Sequence, residues 1–145
     1  MAETLGMLCD KLTIVKLKQY HTDDEEKLKS LQQQASQLRE EIDTFIFDAV
    51  RGDIPAEKLV FKSNKVFKKE GNETKEVSGD IGNLFSELAD VNCRLWHEVE
   101  KGYDIENVPL NEKDKLIRML AVLNLERNKC IDAIDAKFLN LILEK

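Results

Sequence analysis

Asn92, Trp96 and Glu100 follow one another at four-residue spacing in "VNCRLWHEVE" (91–100). On a helix that advances about 100° per residue they form a single stripe. An amide, an indole with a flat face and one N–H, and a carboxylate are suited to recognition. His97, the residue type most often recruited to carry protons, is turned away from this stripe on the same wheel. A surface position near a helix end is expected for it and for His21.

The stripe has a counterpart earlier in the chain. "GMLCDKLTIVKLKQYHTDD" (6–24) aligns without a gap on "GNLFSELADVNCRLWHEVE" (82–100), pairing Gly6 with Gly82, Leu12 with Leu88, Tyr20 with Trp96, His21 with His97 and Asp24 with Glu100. The first copy therefore presents Lys16, Tyr20 and Asp24 where the second presents Asn92, Trp96 and Glu100. Downstream segments continue the match, with Leu28 opposite Leu116, Arg39 opposite Arg127 and Ile46 opposite Ile134. This pattern predicts two duplicated helical hairpins packed face to face about a pseudo-twofold axis, since one hairpin cannot bury its own apolar stripe.

Arg127 falls between Leu123 and Ile131 in the apolar stripe of the last helix, one turn after Asn124. A cation entering a core needs an acceptor, and Glu100 and Asp24 are the expected partners. Two readings follow. In one, these groups form an internal ion-pair network that sets the register of the helices. In the other, Lys16, Tyr20, Arg39, Asn92, Trp96, Glu100, Asn124 and Arg127 line a polar pocket, where cations, amides and a stacking ring suit a small phosphate-bearing ligand.

The elements that must carry these residues are helices. Charged residues make up 34% of the 145 and aromatic ones 6%, with two Pro, a helix-rich composition. Leu5, Leu8, Leu12 and Val15 mark a helix from Thr4 to about His21. Thr22 or Asp23 caps a second that runs to about Val50 and buries Leu28, Leu31, Ala35, Leu38, Ile42, Ile46 and Ala49. A third spans about Asp80 to Lys101 and is stopped by Gly102. A fourth, capped by Asn111, buries Leu116, Leu120, Leu123, Ile131, Ile134, Phe138 and Leu141. The expected architecture is a single all-α domain, a four-helix bundle with hairpin one at 4–50, an insertion at 51–79 and hairpin two at 80–145. The insertion holds six lysines, among them Lys58, Lys62 and Lys75. It reads as a loop or a small β-hairpin of "KLVF" and "KVFKKE".

A net charge of -6 argues against general capture of nucleic acid, which requires a basic footprint. No window of about 18 apolar residues suggests a membrane span, and the N-terminal stretch does not read as a secretion signal. With three dispersed cysteines expected to be free thiols, a cytoplasmic location is expected. Two histidines and no cysteine cluster make no zinc set, and no cofactor is predicted.

"GMLCDKLTIVKLK", "DDEEKLKSL", "ELADVNCRLWHEVE" and "LNLERNKCID" together resemble an uncharacterised family of small bacterial and phage helical proteins. Its members read approximately G-x-L-x-D-K-L-T-I, then V-N-x-x-L-W-x-x-E, then L-N-x-x-R. The resemblance covers the four helices but not 51–79, and marks Asp10, Lys11, Asn92, Trp96, Asn124 and Arg127 as family-like. Where the family has adjacent acids after the Trp, this chain has Val99 and Glu100. The resemblance implies encoding near glycosyltransferase or surface-polysaccharide genes, or in phages, and assigns no activity.

The function expected is non-enzymatic: a homodimer or higher homo-oligomer that holds a small anionic ligand of nucleotide or nucleotide-sugar type, and in a phage sequesters a host defence signal. The alternatives are a Mg²⁺-dependent all-α nucleotide pyrophosphohydrolase using Glu40 and Asp43 of "EEID" with Glu87 and Asp90 of "ELAD", and a protein–protein adaptor.

Overall fold

The computed structural model describes residues 3–61 and 79–144. It is all-helical: α1 (Leu5–His21), α2 (Glu25–Arg51), α3 (Ile81–Tyr103) and α4 (Leu110–Glu144) pack together as four helices, with short 3-10 turns at Ala56–Lys58 and Ile105–Asn107. Among the described residues no strand occurs, and no helix is long and apolar enough to cross a membrane.

Helix ends follow their local chemistry. Thr4 caps α1 through a side-chain bond from the Met7 N–H. Asp24, rather than Thr22 or Asp23, caps α2 by accepting from the N–H groups of Glu26 and Lys27; its carboxylate meets two orphan donors of the first turn. Gly52 closes α2 with φ 83°, a left-handed conformation natural to glycine, and the Asp53 N–H reaches back to the Asp48 carbonyl. Gly102 does not stop α3. The helix continues to Tyr103 and ends where the Asp104 N–H bonds the Lys101 carbonyl. α4 begins at Leu110 directly after Pro109, whose carbonyl accepts from the Glu112 N–H, so Asn111 lies inside the first turn.

The predicted apolar faces are largely the buried ones. Leu5, Leu8 and Val15 on α1, Leu84, Leu88 and Val91 on α3, and Leu123, Ile131, Ile134 and Phe138 on α4 are all buried. Leu141, expected to continue the α4 stripe, is 55% exposed instead. On α2 only Leu31, Ala35 and Ala49 reach full burial, because this helix packs extensively against α1 alone, whereas α1 packs on all three of the others.

That arrangement splits the interior. The main core joins the ends of α1 and α2 to α3 and α4 and includes Phe45 and Phe138, whose ring centroids are 6.1 Å apart. Farther along the first hairpin, Val15, Leu31 and Ala35, with Leu12 and Leu38, form a separate cluster. An even two-fold arrangement would match the α1–α4 contact with an equal α2–α3 contact, and α2 meets α3 only slightly.

Within the insertion, Ala56–Lys58 make a 3-10 turn and Leu59 is fully buried in the core. "KLVF" forms no strand, and the second arm of the expected hairpin lies outside the described residues.

Candidate functional site

Arg127 finds its acceptor in Asp10. Its Nε donates to Asp10 Oδ1 at 2.8 Å and its Nη2 to Oδ2, a two-pronged pair between α4 and α1. The Asn92 amide joins from α3, donating to Asp10 Oδ1 at 2.9 Å and to Thr13 Oγ1 at 2.7 Å, while the Thr13 hydroxyl donates to the Asp10 carbonyl. Asp10, Thr13 and Asn92 are buried. The Asp10 hydrogen bond holds the Arg127 guanidinium above its ordinary pKa, against the opposing effect of burial. Three helices are thus joined by one carboxylate.

This partner differs from the two acids expected from the sequence. Glu100 is exposed and accepts instead from Trp96 Nε1 at 2.7 Å, and Asp24 is occupied as the cap of α2. Lys16 and Arg39 point to solvent, and Tyr20 is 85% exposed. Asn124 is half-buried, its backbone carbonyl accepting from the Asn128 amide. Of the eight expected site residues, the structure brings Asn92 to Arg127 through Asp10, and Trp96 to Glu100. The first-copy residues Lys16 and Arg39 do not enter either group.

A second buried carboxylate lies between the start of α1 and α4. Asp135, 1% exposed, accepts from the Gly6 N–H at 2.7 Å and from Thr4, while its Oδ2 has no hydrogen-bond partner among the described residues. Desolvation raises it to about 6 despite those two bonds, with Asp132 adding to the rise. Burial and the nearby carboxylates of Asp135 and Asp10 push the Cys9 thiol up to about 12, which leaves it an inert core sulfur.

Because the Asp135 pKa is raised in the folded state, its contribution to stability is fully present below about pH 4 and is lost as pH rises through about 6. Between those limits wild type is expected to gain stability on acidification relative to Asp135→Asn, by at most about 1.4 kcal/mol per pH unit. Urea unfolding of both proteins from pH 4.5 to 8 measures this; parallel curves would contradict it.

His21 is not remote from the Trp96 stripe. Its ring stacks on Trp96 with centroids 4.9 Å apart and an interplanar angle of 24°. Tyr20 meets its edge at 5.1 Å and His97 at 5.9 Å. His21 Nδ1 donates to the Leu17 carbonyl at 2.8 Å, which fixes the ring. Beside this aromatic group, between α1, α2 and α3, opens a cavity of about 310 Å³ whose lining includes Lys18, Lys27, Thr22, Ser30 and Gln34 as well as His21 and Trp96, and no carboxylate.

With one inward stripe on α1, Thr13, Lys18 and His21 are not legible as site residues; Asp10 is marked only by the resemblance, and Lys27, on α2, carries no sequence signal of its own. Gly6, Asp10, Leu17 and His21 form a second stripe at helical spacing, visible in the sequence, and it is the side that meets α3 and α4.

The acids of the alternative hydrolase reading are dispersed. Glu40 and Asp43 are exposed on α2, Glu87 and Asp90 lie on α3, and those helices barely meet. Among the described residues no three His, Cys, Asp or Glu side chains are grouped so as to hold a metal ion. The resemblance to a helical bacterial and phage family rests on its motifs alone: no protein-family model, no characterised protein and no solved structure matches this chain.

Proposed function

We propose that the protein is a non-enzymatic binding protein for a small anionic, phosphate-bearing ligand of nucleotide or nucleotide-sugar type. The observation that carries this reading is the cavity beside the His21–Trp96 stack, lined by Lys18 and Lys27 and by no acid in a protein of net charge -6. Two ammonium groups attract phosphate oxygens, and Thr22, Ser30 and Gln34 add neutral hydrogen-bonding groups. The stacked rings offer a flat apolar face to a base. On this reading the cavity holds its ligand, as a sequestering protein would.

The site of this function differs from the eight residues expected from the sequence, keeping Trp96 and replacing the solvent-facing Lys16 and Arg39 with Lys18 and Lys27. Trp96 is the only tryptophan in the chain, so its fluorescence reports occupancy directly. Titration with nucleotides is expected to change that emission saturably. Lys18→Ala and Lys27→Ala should each weaken binding about 10-fold, the loss of one charge-assisted contact, while Lys16→Ala and Arg39→Ala leave it unaltered. A flat fluorescence titration together with an unshifted Tm across nucleoside mono-, di- and triphosphates would remove the reading.

A further inference from the structure

The cationic cavity does not end at Gln34. A second cavity of about 350 Å³ follows it along the α1–α2 groove and shares both Lys18 and Gln34 with the first. Its own lining is different in kind. Gln37 and Glu41 come from α2 and Lys11 from α1, over the apolar side chains of Ile14, Val15 and Leu38. Lys11 is already engaged by Glu3 at 2.6 Å. Beyond lies a larger cleft of about 740 Å³, joined through Gln37 and Glu41, where Glu3, Glu40, Asp48 and Asp53 add further carboxylates against the single cation of Lys58.

Charge along the groove therefore runs from lysines at the His21–Trp96 end to acids at the other. A phosphate at Lys18 and Lys27 is attracted; a phosphate moved toward Glu41 is repelled. The middle of the groove suits a group that is neutral, donates hydrogen bonds to a carboxylate, exchanges them with amides and lays an apolar face on aliphatic side chains. A sugar has that chemistry.

Resting on the reading of the first cavity as a phosphate site, we propose that the ligand is two-part. An aromatic base stacks at His21 and Trp96, its phosphates lie between Lys27 and Lys18, and a neutral hydroxyl-rich group esterified to the terminal phosphate occupies the lobe of Gln34, Gln37 and Glu41. The ligand class is a nucleoside diphosphate sugar. Lys18, common to both lobes, sits at the junction. The groove remains open toward the larger cleft, so the neutral part has room for more than one sugar unit.

Charge makes the test selective, because esterifying the terminal phosphate lowers the negative charge of a nucleoside diphosphate. If lysine attraction alone governed binding, the sugar conjugate would bind more weakly than the parent diphosphate. Calorimetry and Trp96 fluorescence with uridine, guanosine and adenosine diphosphates and their hexose conjugates measure the ratio. For the matching base, the conjugate is expected to bind about 10-fold more tightly than the diphosphate, and Gln37→Ala should reduce that advantage to near unity. Equal or weaker binding of every conjugate overturns the two-part ligand while leaving the phosphate site standing. An advantage that survives Gln37→Ala places the sugar elsewhere and likewise overturns it. No binding of any diphosphate or conjugate removes both readings.

Discussion

Asp10→Ala is expected to lower the unfolding free energy by about 3 kcal/mol, a large fraction of the stability of a domain this size. Asp10 is 4% exposed, and its carboxylate receives two bonds from Arg127 and one from Asn92. Truncation leaves a guanidinium without its counter-charge and takes one partner from an Asn side chain that is 3% exposed. Arg127 keeps 29% of its side-chain surface, so water recovers part of the loss and the effect falls near the low end for a broken buried pair. Adding Arg127→Met to Asp10→Ala should recover more than half of the loss, because the stranded charge is removed with it. Urea unfolding of the two single variants and the double variant measures the coupling. A loss below about 1 kcal/mol for Asp10→Ala would mean that the three-helix junction contributes little.

The same junction shows where reading the sequence worked and where it stopped. Helices were legible because leucines recur at helical spacing, and the inward placement of Asn92 and Arg127 followed from their positions among Leu88, Val91, Leu123 and Ile131. The partner was not legible. One apolar stripe was assigned to α1, yet this helix lies against all three others, and its second contact side, through Gly6, Asp10 and Thr13, is small and polar. Repeat logic then carried the burial of Asn92 and Arg127 onto Lys16 and Arg39, which stand in solvent. Alignment preserves residue type; it does not require each copy to meet the same neighbours. α2 packs extensively against α1 alone, so its N-terminal half buries only Leu31 and Ala35, against Val15, and Arg39 stands in solvent. His21 is exposed at the end of α1, as its position in the sequence implies; its stack on Trp96 is not legible there, because it lies on the Asp10 side of the helix and not on the Lys16 and Tyr20 stripe.

Gly6 and Gly82 are equivalent in the repeat and are expected to respond oppositely to alanine. A Cβ on Gly6 would stand 2.5 Å from the Ile131 carbonyl oxygen and 3.0 Å from Asp135 Oδ1. The first of these is backbone in the middle of α4, so α1 must move outward, which strains the Gly6 N–H bond to Asp135. Gly6→Ala should therefore cost about 2–3 kcal/mol, the range for overpacking a well-filled contact, and lower Tm by several degrees. Gly82 has nothing within 4 Å of the added atom and lies in the first turn of α3. There the better helix propensity of alanine and its smaller unfolded-state entropy should stabilise the fold by about 0.5 kcal/mol. Calorimetric melting of the two variants separates the alternatives. Opposite signs follow from a bundle in which α1 alone occupies the crowded central place. Equal losses at both glycines would mean that Gly82 also lies at a close helix contact, and that the two hairpins are packed as the repeat implies.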